Sequence, residues 1–413
     1  HLNETLVWDR LTLGAEGGGS DFHIRELTLV REEITAALEG RIETRGDWPL
    51  AVNLDLQLPP PSGDQWRVSG EFRGSVRDLR TSLVSSGYLD GRLDGELSPL
   101  DPSLPASLEF RSDRFYALET LPETLTLEDW TLTARGNLEN GYQINTRANL
   151  PGQQGDIGLD ISGRVTQSEA DQLQLTLRGP SVTGEGQAEL SVDGQVSWQD
   201  QLTAEARVAM GAFPWYSLLP GVQPPPVTIQ SLEASAEYAD EQYQATLNLS
   251  ATGPMGDSTL DTRVDGDLQS VKLTELMMTT GAGSLQGEAE VGFAERVNWQ
   301  ADLTLQDFNP GFWVPQATAS ISGSVASRGQ LDAEGRPDFT ANWDLDGQWQ
   351  DAPLASQGQM EAAAGQWRIP EVQASIGDNR LTASVQLQDP LGPSGELSVE
   401  GTLELPEPGL IVP

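Results

Sequence analysis

The sequence predicts an all-β protein: an elongated, partly open trough of strands built from tandem repeats of roughly 100 residues, with few or no helices. Three observations carry this expectation. Apolar and polar residues alternate along most of the chain, the period of a strand with one buried face. Glycine and proline, 43 and 26 residues, interrupt the alternation in clusters suited to turns. Residues 142–203 return 101 positions later as 243–304, with 16 of 62 paired positions identical.

The identical pairs include Tyr142/Tyr243, Gly155/Gly256, Asp156/Asp257, Leu159/Leu260, Gly186/Gly287 and Trp198/Trp299. A weaker copy starts at Phe339, and a still weaker one has Trp48-Pro49 at the Tyr position and Gly87-Tyr88-Leu89-Asp90-Gly91 in place of Gly281 to Gly287. Repeats are therefore expected at 48–141, 142–242, 243–338 and 339–413, with 1–47 ending a preceding one, in one continuous array over 1–413. Such a repeat is too long for one hairpin. At about ten residues per strand and turn, the chain would hold roughly 40 strands.

Val52, Leu54, Leu56 and Leu58 point one way while Asn53, Asp55 and Gln57 point the other. The pattern recurs at Leu173, Leu175 and Leu177, at Leu247 and Leu249, at Leu303 and Leu305, and at Leu381, Ala383, Val385 and Leu387. The best helix candidate, Ile24 to Glu43, also alternates through Ile34, Ala36, Leu38, Gly40 and Ile42, and is read as strand. Turns are expected at Gly17-Gly18-Gly19-Ser20, Pro59-Pro60-Pro61-Ser62-Gly63, Pro151-Gly152, Pro220-Gly221, Pro224-Pro225-Pro226 and Pro390-Leu391-Gly392-Pro393. Two further turns carry rings: Phe213-Pro214-Trp215-Tyr216 and, at the equivalent station, Phe308-Asn309-Pro310-Gly311-Phe312-Trp313. These rings are expected to plug one edge of the core.

Acidic residues outnumber basic ones by 62 to 24, a net charge of -38, which repels phosphate backbones and excludes a nucleic-acid partner. Because the acids alternate with apolar residues throughout, they read as a solvated outer face. With no cysteine and only His1 and His23, the chain has no disulfide framework, thiol chemistry, catalytic triad or imidazole cage. No signal peptide is expected among these residues, and no apolar run approaches the ~18 residues that span a bilayer. Opening at His1 and stopping within an unfinished pattern, it is expected to be an excised piece of something longer.

Chemistry-bearing motifs are few. Gly281 to Gly287 spaces its last glycine wrongly for a phosphate loop. Asp265-Gly266-Asp267, Asp344-Leu345-Asp346-Gly347 and Gly155 to Asp160 fit no calcium loop, and the pairs Glu32-Glu33 and Glu128-Asp129 come with no partner nucleophile. Neither a metal, a cofactor nor an enzymatic activity is expected.

A sheet with one apolar face must hide it, and this chain offers almost no amphipathic helix to do so. Either the sheet folds on itself into a closed, dry core, or it stays partly open and something else fills the gap. Aromatic residues make up 6% of the sequence, few enough to leave a thin core or an occupied channel. An acyl chain would gain ~0.8 kcal/mol per buried CH₂ from such a lining. The candidate lipid-contacting residues are Val52, Leu54, Leu56, Leu58, Leu173, Leu175, Leu177, Leu247, Leu249, Leu303, Leu305, Leu381, Val385 and Leu387.

Strand openings such as Leu285-Gln286-Gly287, the tryptophans Trp198 and Trp299 read as strand residues followed by leucine alternation, the Asn309-Pro310 turn and the strand Ile321-Ser322-Gly323-Ser324-Val325 give the chain a likeness. It resembles the periplasmic shaft of the TamB family, within the wider AsmA-like group, over nearly its whole length and most clearly over 89–330. The resemblance implies a taco-shaped sheet, greasy inside and polar outside, that carries phospholipids across the periplasm between inner and outer membranes. It also implies a role in inserting outer-membrane β-barrel proteins with an outer-membrane partner, TamA, and anchorage of the full-length protein in the inner membrane of a Gram-negative bacterium. The family's amino-terminal membrane helix and carboxy-terminal conserved domain are not expected among these residues, so membrane contact and TamA binding would belong to segments outside them. Beside a lipid conduit, two readings stay open: an assembly chaperone whose strand edges pair with barrel strands, and a structural repeat protein with a closed core.

Overall fold

A computed structural model describes residues 9–410, except 64, 119, 185, 220, 221, 223, 255, 282, 295, 313–317, 333, 350 and 389–395. The expected turns at Pro220-Gly221 and Pro390-Leu391-Gly392-Pro393, and Trp313, lie outside the described residues. The protein is all-β, with 26 antiparallel strands and four short 3-10 turns among the described residues. It divides into two units, the first formed by 1–200 with 213–224 and the second by 201–212 with 225–413.

The first unit contains β1 (Arg10–Gly18), β2 (Asp21–Arg31), β3 (Ile34–Glu43), β4 (Pro49–Leu58), β5 (Trp66–Ser75), β6 (Asp78–Gly87) and β7 (Gly91–Leu97). It continues with β8 (Ala106–Phe115), β9 (Leu127–Asn137), β10 (Gly141–Leu150), β11 (Ile157–Val165), β12 (Glu169–Pro180) and β13 (Gln187–Ser197). The second holds β14 (Thr203–Gly211), β15 (Thr228–Ala239), β16 (Gln242–Gly253), β17 (Gly256–Asp267), β18 (Ser270–Thr280), β19 (Gly283–Gly292) and β20 (Asn298–Phe308). Its remaining strands are β21 (Ala319–Leu331), β22 (Pro337–Trp349), β23 (Ala352–Ala363), β24 (Gln366–Ile376), β25 (Asn379–Gln388) and β26 (Glu396–Glu404). Within each unit every strand pairs antiparallel with the next in sequence, an uninterrupted meander.

Alternation does what its period requires. Along β4, Leu50, Val52, Leu54 and Leu56 are half-buried while Ala51, Asn53 and Asp55 are exposed. The stretch Ile24 to Glu43 is strand, but two strands, because Glu32 adopts φ 52 and turns the chain between β2 and β3. The estimate of roughly 40 strands is too high, since strands of up to 13 residues and some connections reaching past ten make a strand with its connection longer on average than ten residues. Among the described residues no closed, dry core forms within either unit, because the residues that would fill it stand on an uncovered face.

The 3-10 turns Glu123–Leu125, Trp215–Leu218, Pro310–Phe312 and Pro408–Leu410 follow β8, β14, β20 and β26, each six strands after the last. Tyr142, Tyr243 and Phe339 lie near the starts of β10, β16 and β22, again six strands apart. Residues Asp129, Gln172, Glu275 and Asp307, at φ 50, 50, 56 and 47, sit at register shifts inside strands. Such bulges bend a strand and increase its twist.

Candidate functional site

Cross-strand register turns local alternation into long files of side chains. In the first unit one file of directly opposed residues crosses all its strands: Leu13, Leu27, Leu38, Leu54, Gly70 and Leu83, then Leu93, Phe110, Leu132, Thr146, Ile161, Leu175 and Val192. The second unit repeats the device with Met210, Leu232, Leu249, Leu260, Met278, Leu285 and Leu305, then Gly323, Leu345, Ser356, Ala374, Leu381 and Leu403. Only small residues and hydroxyls interrupt the apolar run. Most members are half-buried, shielded by their lateral neighbours and by nothing above them.

Each apolar face runs between two unlike edges. One carries the 3-10 turns and is sealed. In the first unit, residues of the β14–β15 connection pack there: Phe213 (1% exposed) and Ser217 (1%) against Ile157 (0%), with Thr126 (0%) alongside. Gln153 N donates to Ser217 O at 3.0 Å, Gln153 Nε2 to Leu219 O at 2.6 Å, and Thr124 Oγ1 to Leu218 O at 2.5 Å, binding two 3-10 turns to the β10–β11 connection. In the second unit Phe308, Ala251, Ala319, Ala352 and Asn379 are buried along that edge. Asn379 closes it by donating from Nδ2 to Glu407 O at 2.7 Å and accepting from Glu407 N at 2.8 Å. The expectation that Phe213, Tyr216 and Phe308 plug an edge therefore holds.

Four tryptophans on the apolar face have their indole N–H groups paired with hydroxyls, whereas the buried Thr81 Oγ1 on the same face has no hydrogen-bond partner. The indole N–H groups of Trp66, Trp130, Trp299 and Trp343 donate to hydroxyls of Ser85, Thr146, Ser327 and Ser356 at 2.9, 3.0, 3.1 and 3.0 Å. Each partner sits on a nearby strand at an inward position of the alternation. These pairs escaped the sequence reading; their signal is a Ser or Thr where alternation calls for an apolar residue.

The opposite face is charged. Arg147 meets Asp160 at 2.9 Å, Asp160 meets Arg178 at 3.0 Å and Arg178 meets Glu189 at 2.9 Å, a ladder across β10–β13. Exposed pairs of this kind contribute little stability each. The Arg92 guanidinium and the Ser82 hydroxyl hold the Asp94 carboxyl below its ordinary range, and Arg164 does the same for Asp171. In the second unit backbone N–H groups do this work: those of Gln269 and Ser270 lower Asp267, and that of Arg336, with its guanidinium, lowers Asp332.

All the candidate lipid-contacting residues are half-buried and on strands. Leu54 and Leu175 share the file of the first unit, and Leu249, Leu305 and Leu381 share that of the second. Others lie beside the files: Leu58 opposes Trp66, Leu173 opposes Gly194, Leu177 opposes Leu159 and Leu190, and Leu247 opposes Ala234 and Thr262. Leu303 opposes Val325, Val385 opposes Ile369 and Leu387 opposes Trp367. Val52 and Leu56, also on β4, face Gly40 and Ala36. Trp198 is a correction. It follows β13 rather than lying on a strand, is 44% exposed and donates to Gln167 O, whereas Trp299 lies on β20. The β12–β13 connection spans 181–186 and the β18–β19 connection 281–282, so identical residues past this point occupy different stations.

Among the described residues no group of three or more His, Asp or Glu side chains is placed to hold a metal ion, and no helix is long and apolar enough to cross a membrane. What the fold and face define is a class: repeat-built antiparallel β proteins with an uncovered apolar face. The chain belongs to the TamB N-terminal domain family, whose sequence profile matches residues 2–211 and 218–407. It is 24% identical over 379 residues to the translocation and assembly module subunit TamB of Haemophilus influenzae, an alignment covering 87% of this chain and 26% of that protein. The chain thus spans about a quarter of the length of that relative. No solved structure matches it.

Proposed function

We propose that this chain is a segment of a periplasmic, bridge-like conduit in which phospholipid acyl chains lie against the apolar face while moving between the inner and outer membranes. One observation carries the reading: in each unit an apolar file crosses every strand without interruption by charge and without cover. Burying acyl chains there gains ~0.8 kcal/mol per CH₂, and a file of near-equivalent positions lets a lipid slide because no single one dominates. The full-length protein would be anchored in the inner membrane of a Gram-negative bacterium and meet TamA at the outer membrane through segments outside these residues. No catalytic role is proposed for any residue. The test is a photo-crosslinking residue at Leu175 or Leu247 in cells. Lipid adducts are expected, and adducts to protein alone would count against the conduit.

The Haemophilus influenzae relative is named a translocation and assembly module subunit, and a second reading takes assembly as the role: a factor for outer-membrane β-barrel proteins and autotransporters that pairs incoming strands with its own. That reading expects crosslinks to unfolded barrel proteins and indifference to charges placed on the apolar face.

A further inference from the structure

Resting on the conduit reading, we infer that the second unit takes phospholipids with an ammonium-bearing, zwitterionic headgroup, seated with the head at the edge opposite the 3-10 turns and the acyl chains running along the strands. A second file, parallel to the leucine file and on the same face, follows that edge. It contains Tyr238, Tyr243, Trp299, Phe339 and Trp367, with Gly329 and Ala362 set between the last three rings. The small residues make room: a Cβ on Gly329 would stand 2.4 Å from Phe339 Cβ and 2.6 Å from the Trp299 ring. Across these gaps Trp299 and Phe339 approach to 6.1 Å between centroids, and Phe339 and Trp367 to 5.3 Å. All five rings are half-buried, accessible from the apolar face. Amphipathic rings bordering an oily region are the arrangement found where hydrocarbon gives way to headgroups.

The two edges of this unit differ in a way that orients an amphiphile. The edge with the 3-10 turns is packed shut on Phe308, Ala319 and Ala352. The aromatic edge is open, and its turns display Leu268 (71% exposed) and Phe293 (45%) beside the carboxylates of Asp240, Glu241, Asp267, Asp332 and Glu334. Of the basic residues there, Arg336 is taken up by Asp332 and Glu334 at 2.8 and 2.9 Å, which leaves the carboxylates of Asp240, Glu241 and Asp267 against the exposed Arg296 of the β19–β20 turn. From Trp299 to Leu305 is six residues along β20, or about 20 Å of apolar wall at ~3.3 Å per residue, against roughly 15 Å for one leaflet's hydrocarbon. An acyl chain therefore fits between the ring file and the sealed edge. At the rings, an ammonium gains from their π faces and from the carboxylates, while a net-anionic head meets the repulsion of a chain carrying -38.

The test places benzophenone at Phe339 or at Leu305 in the full chain and exposes it to vesicles of phosphatidylethanolamine or phosphatidylglycerol with identical acyl chains. Expected are adducts about threefold more abundant with the ethanolamine lipid, on glycerol or headgroup atoms from position 339 and on acyl carbons from position 305. A Trp299→Ala, Trp367→Ala variant should lose the discrimination while keeping the adducts at 305. Equal yields, or a preference for the glycerol head, would overturn the headgroup assignment, and acyl adducts from both positions would overturn the orientation. Either result leaves the conduit standing. Absence of any lipid adduct at 305 with both lipids would remove the conduit itself, and this inference with it.

Discussion

The two units build their apolar files by the same register rule yet put their main clusters of aromatic rings at opposite edges. In the first, Trp66, Tyr88, Phe115, Trp130 and Phe110 form a contiguous block, with successive centroids 5.6, 5.5, 5.4 and 5.2 Å apart, at the edge of the 3-10 turns. Tyr88 ties the block to the β8–β9 connection by donating to Ala117 O at 2.8 Å. In the second, a file of rings follows the tight-turn edge, and the 3-10 edge is closed by the ring of Phe308 with small side chains such as Ala319 and Ala352. Rings massed against connections stabilise, as a small core would. Rings spread along an open border leave their faces available. The difference separates packing from binding within one repeating architecture.

The sharpest way to break that distinction is to remove the ring at the centre of the first unit's seal. Phe213→Ala should cost ~3–5 kcal/mol, read by denaturant unfolding, because the cavity it leaves is fully enclosed. A loss below ~1 kcal/mol would show that the seal is not a core. In the second unit, Gly323→Ala should cost ~1–3 kcal/mol: φ is 131 and a Cβ would stand 2.0 Å from Asp344 O, in the middle of the leucine file. Thermal unfolding reads this directly.

Trp343→Phe removes one indole donor from Ser356 and should cost about 1 kcal/mol, with Trp130→Phe similar in the other unit. Smaller still is the expected effect of Leu249→Asp with Leu305→Asp, which share a file through Leu260, Met278 and Leu285. An uncovered face tolerates the charges, whereas a packed sandwich would lose ~3 kcal/mol or more for each. Retained fold with lost lipid transfer is the expected result, and retained fold with normal outer-membrane lipid content would contradict the conduit.

The least effect is electrostatic. Asp171 is lowered chiefly by a guanidinium and Asp267 by backbone N–H groups. Both carboxylates therefore add stability that is present above the unfolded value of ~3.9 and is lost as pH falls through their lower folded values. Added salt should raise the Asp171 pKa more than that of Asp267 in an NMR titration, because screening weakens even a half-buried ion pair more than a turn hydrogen bond.

Much of this was legible in the sequence. Leu247 and Leu249, like Leu303 and Leu305, lie on the face their alternation assigns, since a period of two needs no tertiary information. The wrongly placed residue, Trp198, failed for a definite reason: connections of different length shift register without erasing identity, so the Trp198/Trp299 pair is a likeness of letters and not of stations. The ring file was invisible for the same reason. Tyr243, Trp299 and Phe339 meet only through cross-strand pairing, which depends on every intervening loop. Trp343 and Ser356, thirteen positions apart, became partners only once β22 and β23 were registered.

The charged face described above has one further consequence. A protein that leaves an oily strip bare across so many strands invites its copies to stick together. With 62 carboxylates against 24 cations, mutual repulsion supplies that safeguard at a range of about 10 Å in moderate salt. Charge repulsion thus opposes association of the greasy surfaces, so concentrated salt or mild acid should bring the molecules together before it unfolds them.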